Sequence, residues 1–312
     1  MEKPTSDEKV LAALSHVSVL LAFLGPVGPA LVWVFQRNKS KYVRYHALQA
    51  MGYQAFTFWG WMIGAFVAVF GVILFSAGMT LLLDIEATDD TTFIFLMEMV
   101  MIFAIFGLWG LFFLVGIVGA MLCLMGRNFS YPIIGSWLRR KLFAEGSPEA
   151  EIENWEDSWV GGVCHSTAIL QMWGIVTPLI IWFSQKSRSA KLRFQALQAA
   201  IYQLIAFIVY IIGMVAYMVF FFLMMFGMIL LGGISTSPNG ELPPAAGAVF
   251  IIFLAVIMIL YLLMMVATPI YFLLAAVGSI RTIRRHNFKY PILGHIMAHR
   301  MGQSALKEEG SS

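Results

Sequence analysis

The chain has 312 residues, of which 60% are hydrophobic and 12% charged, with a net charge of +3. Soluble domains average about 45–50% apolar and about 25% charged residues, so these proportions exclude a water-soluble globular protein. The net charge itself says little, because charge is segregated along the chain. Glu241 is the only charged residue from Phe194 to Ile280, and none lies between Ala47 and Leu83. The lipid bilayer is the partner this composition demands. Other membrane proteins are the next candidates, and nothing points to nucleic acid.

The first ten residues, MEKPTSDEKV, are mixed in charge. They have neither the short apolar core of a signal peptide nor the Arg/Ser-rich character of a transit peptide, so insertion is expected to use the membrane segments themselves. An apolar segment, Val10–Phe35, follows and is broken by GPVGP. A basic loop leads into a long apolar helix predicted over Ala47–Leu83, then an acidic loop, then a third segment over Thr92–Met125 that ends in NFSYPIIG. About 20 apolar residues, rising about 1.5 Å each, cross a hydrocarbon core of about 30 Å, and these helices exceed that length. The acidic stretch EGSPEAEIENWED, residues 145–157, reads as an exposed linker. Beyond it the pattern recurs: Ser158–Phe183, broken by GIVTP, then Ala196–Ile234, then Ala248–Ile280.

The recurrence is an internal duplication. An offset of 149 aligns His16 with His165, Pro29 with Pro178, Trp33 with Trp182 and Arg44 with Arg193. It also superposes R-x-x-A-L-Q-A-x-x-Y-Q at Arg44–Gln54 on Arg193–Gln203. An offset of 159 aligns NFSYPIIG with NFKYPILG, the extra residues falling in the loop STSPNGELPPAAG. The expected fold class is therefore all-α, a polytopic membrane protein of two tandem repeats: 1–144, then the linker 145–157, then 158–312 with a short polar tail.

Sixteen of the twenty Lys and Arg residues fall in four clusters, around 37–44, 127–141, 186–193 and 281–289, while the two remaining polar loops carry acids and no basic residue. By the positive-inside rule all four clusters face the cytoplasm. Three full spans per repeat would invert the second half and reverse its charge bias, yet both halves carry the same bias. We therefore expect the broken segment to enter and return on one face, leaving two true spans per repeat. A kinked full span is the alternative. Irregular backbone at membrane depth is tolerated where protein covers it or it lines a wet cavity.

The repeat also marks the candidate functional positions: His16 and His165, Arg44 and Arg193, Gln49 and Gln198, Tyr53 and Tyr202. An ionisable residue in a membrane segment is a functional candidate by default, and histidine suits a proton relay. The plainer expectation is a histidine near the interface, bonded to a backbone carbonyl of the broken segment. Gln49 and Tyr53 share a helix face, which could line a cavity or, with the arginine, hold a lipid phosphate. We expect Arg44 and Arg193 to snorkel to the headgroups and the glutamines to bond across helices. The Tyr131-Pro132 and Tyr290-Pro291 pairs read as interfacial anchors. Gly60-x-x-x-Gly64 has the spacing of a close-packing face. Cys123 and Cys164 lie in apolar segments and resemble small hydrophobes. No phosphate-binding loop, nucleophile elbow or zinc-spaced Cys/His cluster is present. No catalytic residue, cofactor-binding residue or metal ligand is predicted.

The H-x-L-Q-A-x-x-Y-Q string in its two versions, the G-x-x-x-P…W break before it and the closing Y-P-I-[IL]-G resemble a family of small prokaryotic membrane proteins. That family is similar to the Tic-twenty-like component of the chloroplast inner-envelope import machinery. A plastid role would imply protein translocation. The duplication and the lack of a transit peptide instead favour a prokaryotic plasma membrane, and the resemblance transfers no catalytic residue. The expected function is a non-catalytic scaffold or assembly and translocation accessory factor. A small-solute or ion transporter and a lipid-binding protein are the alternatives. Tags placed in residues 37–45 and 186–194 are expected to be accessible from the same side of the membrane; opposite accessibilities would overturn the parallel arrangement.

Overall fold

The computed structural model describes residues 3–83, 91–142, 146–185, 189–234 and 244–300, and every described element is helical. The acidic loops at 84–90 and 235–243, Lys186, Arg188 and the polar tail lie outside the described residues. The first repeat comprises α1 (Ser6–Val17), a 3-10 segment (Ser18–Leu24), α2 (Val27–Gln36), α3 (Lys41–Leu83), α4 (Thr91–Leu124) and α5 (Ile134–Leu142). The second has the same order: α6 (Glu149–Ser166), a 3-10 segment (Thr167–Trp173), α7 (Val176–Ser184), α8 (Ala190–Ile234), α9 (Pro244–Ile283) and α10 (Leu293–Arg300).

The broken segment is a helical hairpin. Thr5 opens α1 with a capping box: its hydroxyl accepts from the Glu8 amide at 3.3 Å, and its own amide donates to the Glu8 carboxylate at 2.8 Å. The chain turns at Ala22, where φ is +50°, and at the equivalent Gln171, where φ is +52°. Pro29 and Pro178 do not kink a helix. Each occupies the third helical position of the returning arm, a first-turn site whose N–H has no intrahelical acceptor. Glu8, at the start of α1, lies against Ser40, just past the end of α2, so both ends of the hairpin open on the same side. The bend at Gly25 touches Gln54, thirteen residues into α3. At about 1.5 Å per residue that is about 20 Å deep, short of a crossing of about 30 Å. The expected re-entrant path is thus the observed one.

The two repeats run parallel and share one core at the basic end of the long helices. Leu48, Met51 and Ala55 of α3 meet Trp159, Val160 and Val163 of α6 and Leu192, Ala196 and Ala199 of α8. Helix α2 packs on α7, its own equivalent, as a two-fold relation between the halves requires. Trp159 donates to the Leu48 carbonyl at 3.0 Å, and Trp59 to the Ser166 carbonyl at 3.0 Å. The acidic stretch expected as an exposed linker is helical from Glu149 onward, and its last acids, Glu156 and Asp157, are buried between the halves.

Beyond this base the long helices change character. After Phe58, α3 has no buried residue among those described, and after Gln203 neither has α8. Residues 59–83 alone would span about 37 Å as a helix, and they expose Phe66, Phe70, Leu74 and Leu81. Helices apolar all round belong in lipid. Among the described residues, four helices meet the length and apolarity of a membrane span. Gly60 has open space where a side chain would begin and Gly64 touches only Leu108, so their spacing marks no close-packing face within the chain. The close approach is at Gly52, where a Cβ would overlap the Trp159 ring. Gly52→Ala is expected to cost about 1–3 kcal/mol through overpacking, while Gly60→Ala costs nothing, as thermal unfolding in detergent would show.

Candidate functional site

Each repeat builds the same buried polar node beneath its hairpin. Helices α4 and α9 end in turns closed by left-handed residues, Gly126 at φ +70° and Arg285 at φ +65°. In the first, Arg127 donates to the Leu122 carbonyl at 2.9 Å, the Schellman pattern. The chain then doubles back, and a glutamine of the following segment's neighbour helix holds it. Gln49 donates to the Phe129 carbonyl at 3.0 Å and accepts from the Tyr131 amide at 3.2 Å. Gln198 does the same for Phe288 at 2.8 Å and Tyr290 at 3.4 Å. Tyr53 stacks on Tyr131 with ring centroids 4.0 Å apart, and Tyr202 on Tyr290 at 3.9 Å. Their hydroxyls donate to the carbonyls of Phe112 and Tyr271, each at 3.0 Å.

The tyrosine of the Tyr-Pro pair is thereby aimed at the histidine of the hairpin. Tyr131 Oη lies 2.9 Å from His16 Nδ1, and Tyr290 Oη 3.0 Å from His165 Nδ1. Both tyrosines are fully buried rather than interfacial anchors. Both histidines are fully buried as well and bond side chains, not the backbone carbonyl expected of them. The carbonyls freed near the bend are taken by the last glutamine of the repeated string: Gln54 donates to Ser15 O at 3.0 Å, and Gln203 to Cys164 O at 2.9 Å. Gln49, Tyr53 and His16 thus converge in one node, and Gln198, Tyr202 and His165 in the other.

The nodes differ at two positions. In the second repeat Gln195 Oε1 accepts from His165 Nε2 at 2.9 Å, Gln198 Nε2 at 2.6 Å and Thr282 Oγ1 at 3.5 Å, a set closed by hydrogen bonds. In the first repeat His46 replaces Gln195 and Cys123 replaces Thr282. His16 Nε2 lies 3.1 Å from His46 Nδ1, and Cys123 Sγ lies 3.4 Å from the same nitrogen.

Arg44 and Arg193 stand apart from both nodes. Arg44 is buried at the junction of the repeats, 3.6 Å from the Glu156 carboxylate and 3.7 Å from that of Glu149, instead of reaching the headgroups. Trp33 also donates to Glu156. Arg37 meets Asp157 and Glu153 at 3.2 Å each and the Gln185 carbonyl oxygen at 3.2 Å. Burial pushes the Glu156 and Asp157 carboxyls up, against the pull of these arginines. Among the described residues Arg193 has no such ion pair, and the Nε of both Arg44 and Arg193 is buried without a hydrogen-bond partner. The acid equivalent to Glu156 in the first repeat is Asp7, which is exposed.

With the geometry of both repeats in place, the comparison with known families is decisive. Residues 7–138 and, again, residues 156–297 match the profile of the magnetosome magnetite crystal formation protein family. The chain belongs to this family. The two tandem matches make it a prokaryotic membrane protein with an internally duplicated family unit, and they do not bear on the Tic-twenty-like resemblance. No curated protein and no solved structure matches the chain. Each family unit covers one hairpin, one pair of long helices and one polar node.

The repeat in the sequence marks the shared members of the nodes but not His46, Cys123, Arg37 or the buried acids of α6. A signal for the first two existed: they are neighbouring departures from a repeat that otherwise holds its polar positions. Gln54→Leu and Gln203→Leu are each expected to cost about 0.5–1.5 kcal/mol by removing one hydrogen bond from a buried carbonyl that the Ser18 or Thr167 hydroxyl still holds at 2.9 Å, measured as a lowered unfolding midpoint in detergent.

Proposed function

We propose that this protein is a non-catalytic membrane scaffold or assembly factor in magnetosome magnetite crystal formation, with its basic base on the cytoplasmic side of a prokaryotic membrane. The observation that carries the reading is how the repeated polar residues are used. Gln49, Tyr53, Gln54 and their equivalents bond the backbone at the Tyr-Pro turn, α4 or α9, and the hairpin, so they hold architecture. The arms beyond the base offer lipid an apolar surface. A cavity of about 470 Å³ between the second 3-10 segment, α8 and α9 is lined mainly by apolar side chains such as Ile205, Met214 and Met264. That lining suits a hydrocarbon chain better than the path of a hydrated solute. The cytoplasmic assignment rests on the basic clusters near the ends of the four long helices at the base.

Crosslinking in the native membrane is expected to recover a defined set of membrane-protein partners, and the same set from the His16→Ala/His165→Ala double variant. Reconstituted protein is expected to carry no ion or solute flux. A flux that disappears in the double variant would overturn the scaffold reading in favour of a transporter.

A further inference from the structure

The two nodes descend from one duplicated unit, yet they present different chemistry. The second offers an imidazole, an amide and a hydroxyl, all bonded to one another. The first offers two imidazoles and a thiol, His16, His46 and Cys123, all fully buried, with one donor atom of each within 4.8 Å of the others. Both changes point the same way. Where the second repeat has an amide and a hydroxyl, the first has an imidazole and a thiol, at two positions 77 residues apart in sequence that meet only in the folded protein.

We propose that the first node is a binding site for a single soft or borderline transition-metal ion of the zinc type, held by His16 Nε2, His46 Nδ1 and Cys123 Sγ. Spacing supports it. Metal–nitrogen bonds of about 2.0–2.1 Å and a metal–sulfur bond of about 2.3 Å place nitrogens about 3.3 Å apart, and nitrogen and sulfur about 3.6 Å apart, around a tetrahedral centre. Two separations here are 3.1 Å between the imidazole nitrogens and 3.4 Å between His46 Nδ1 and Cys123 Sγ, and the third pair, His16 with Cys123, lies within 4.8 Å. Small side-chain adjustments bring the three donors around one ion.

The surroundings of the ligands also fit. A metal-bound histidine donates its other N–H to a fixed acceptor that orients the ring. For His16 that acceptor is Tyr131 Oη at 2.9 Å from Nδ1, held in place by its stack on Tyr53. Asn128 lies beside the His46 ring, and Tyr42, whose hydroxyl donates to the Arg127 carbonyl at 3.4 Å, lies beside Cys123. Gln49 Nε2 lies 2.9 Å from His46 Nδ1. Its orientation is set by the Phe129 carbonyl and the Tyr131 amide, so it donates to that nitrogen, which is therefore unprotonated and able to act as a ligand. An ion would displace this one bond while Gln49 kept its two backbone partners. Binding needs no redox partner. The Cys123 S–H bond gives its proton to solvent, the thiolate and two neutral imidazoles each donate an electron pair, and the fourth position stays open to water or a further ligand.

Cobalt(II) is the probe, because a tetrahedral cobalt–thiolate centre absorbs through sulfur-to-metal charge transfer. Reduced, metal-stripped full-length protein in detergent is expected to take up one cobalt ion per chain with that absorption, and to lose it when Zn²⁺ is added. His46→Gln with Cys123→Thr gives the first repeat the side chains around which the second already folds; it is expected to abolish the band without changing helix content. Cys164→Ala is expected to leave the band intact. Tyr131→Phe is expected to weaken cobalt affinity by about 10–100-fold, the range for loss of a group that orients a ligand. Grafting the other way, Gln195→His with Thr282→Cys should raise the stoichiometry from one to two. A wild-type protein without the charge-transfer band, a band that survives His46→Gln/Cys123→Thr, or a folded graft that still binds one ion would each overturn the assignment. None of these readouts depends on the scaffold reading, so either proposal can fail alone.

Discussion

A chain that turns back inside an apolar body frees backbone N–H and C=O groups where neither a continuous helix nor water can satisfy them, and each such group left unpaired costs several kcal/mol in hydrocarbon. The rest of this structure follows from meeting that requirement twice. Ser15 and Cys164 present their carbonyls next to the bends, and Gln54 and Gln203 reach across from α3 and α8 to take them. The repeated Q-A-x-x-Y-Q spacing is then a clamp. Its first glutamine holds the Tyr-Pro turn, its tyrosine stacks beneath that turn, and its last glutamine holds the hairpin. Because one helix supplies all three, the hairpin, the turn and the long helices are locked in a single register.

Duplication gave two such units, and their junction departs from two-fold symmetry in one respect. Helix α2 meets α7 as equivalent surfaces, but α6 brings Glu156 and Asp157 against Arg37 and Arg44 while the matching Asp7 stays exposed. Removing one member of a buried ion pair strands the other, so such a cluster selects one arrangement of the halves more strongly than it adds stability. Among the described residues Arg44 has the acids of α6 as ion-pair partners and its equivalent Arg193 has none, while the Nε of each is buried without a hydrogen-bond partner. The short chain between the repeats thus serves as a wedge as well as a connection.

The same duplication provides an internal control for chemistry. Where the two nodes keep the same residues, those residues hold backbone or each other. Where they diverge, at His46 and Cys123, the first node gains electron-pair donors and the second closes on itself. Architecture and ligand chemistry can therefore be separated within one molecule, by exchanging two side chains between repeats whose surroundings are already alike.

The sequence by itself determined the membrane character and the duplication and pointed to parallel halves and a re-entrant path over a kinked span, because each rests on a one-dimensional property: apolar run length, self-similarity and the placement of Lys and Arg. It also marked His16, Gln49, Tyr53 and their equivalents, since a polar residue kept in an apolar repeat is conspicuous. It could not show that Arg44 turns inward, because snorkelling and burial differ only by the presence of Glu156, which lies 112 residues away and reads as solvated linker. Nor could it join His16, His46 and Cys123, which sit on three separate helices. Only the tertiary structure decided those pairings, because a helix fixes which residues share its own face, whereas packing alone decides which faces meet.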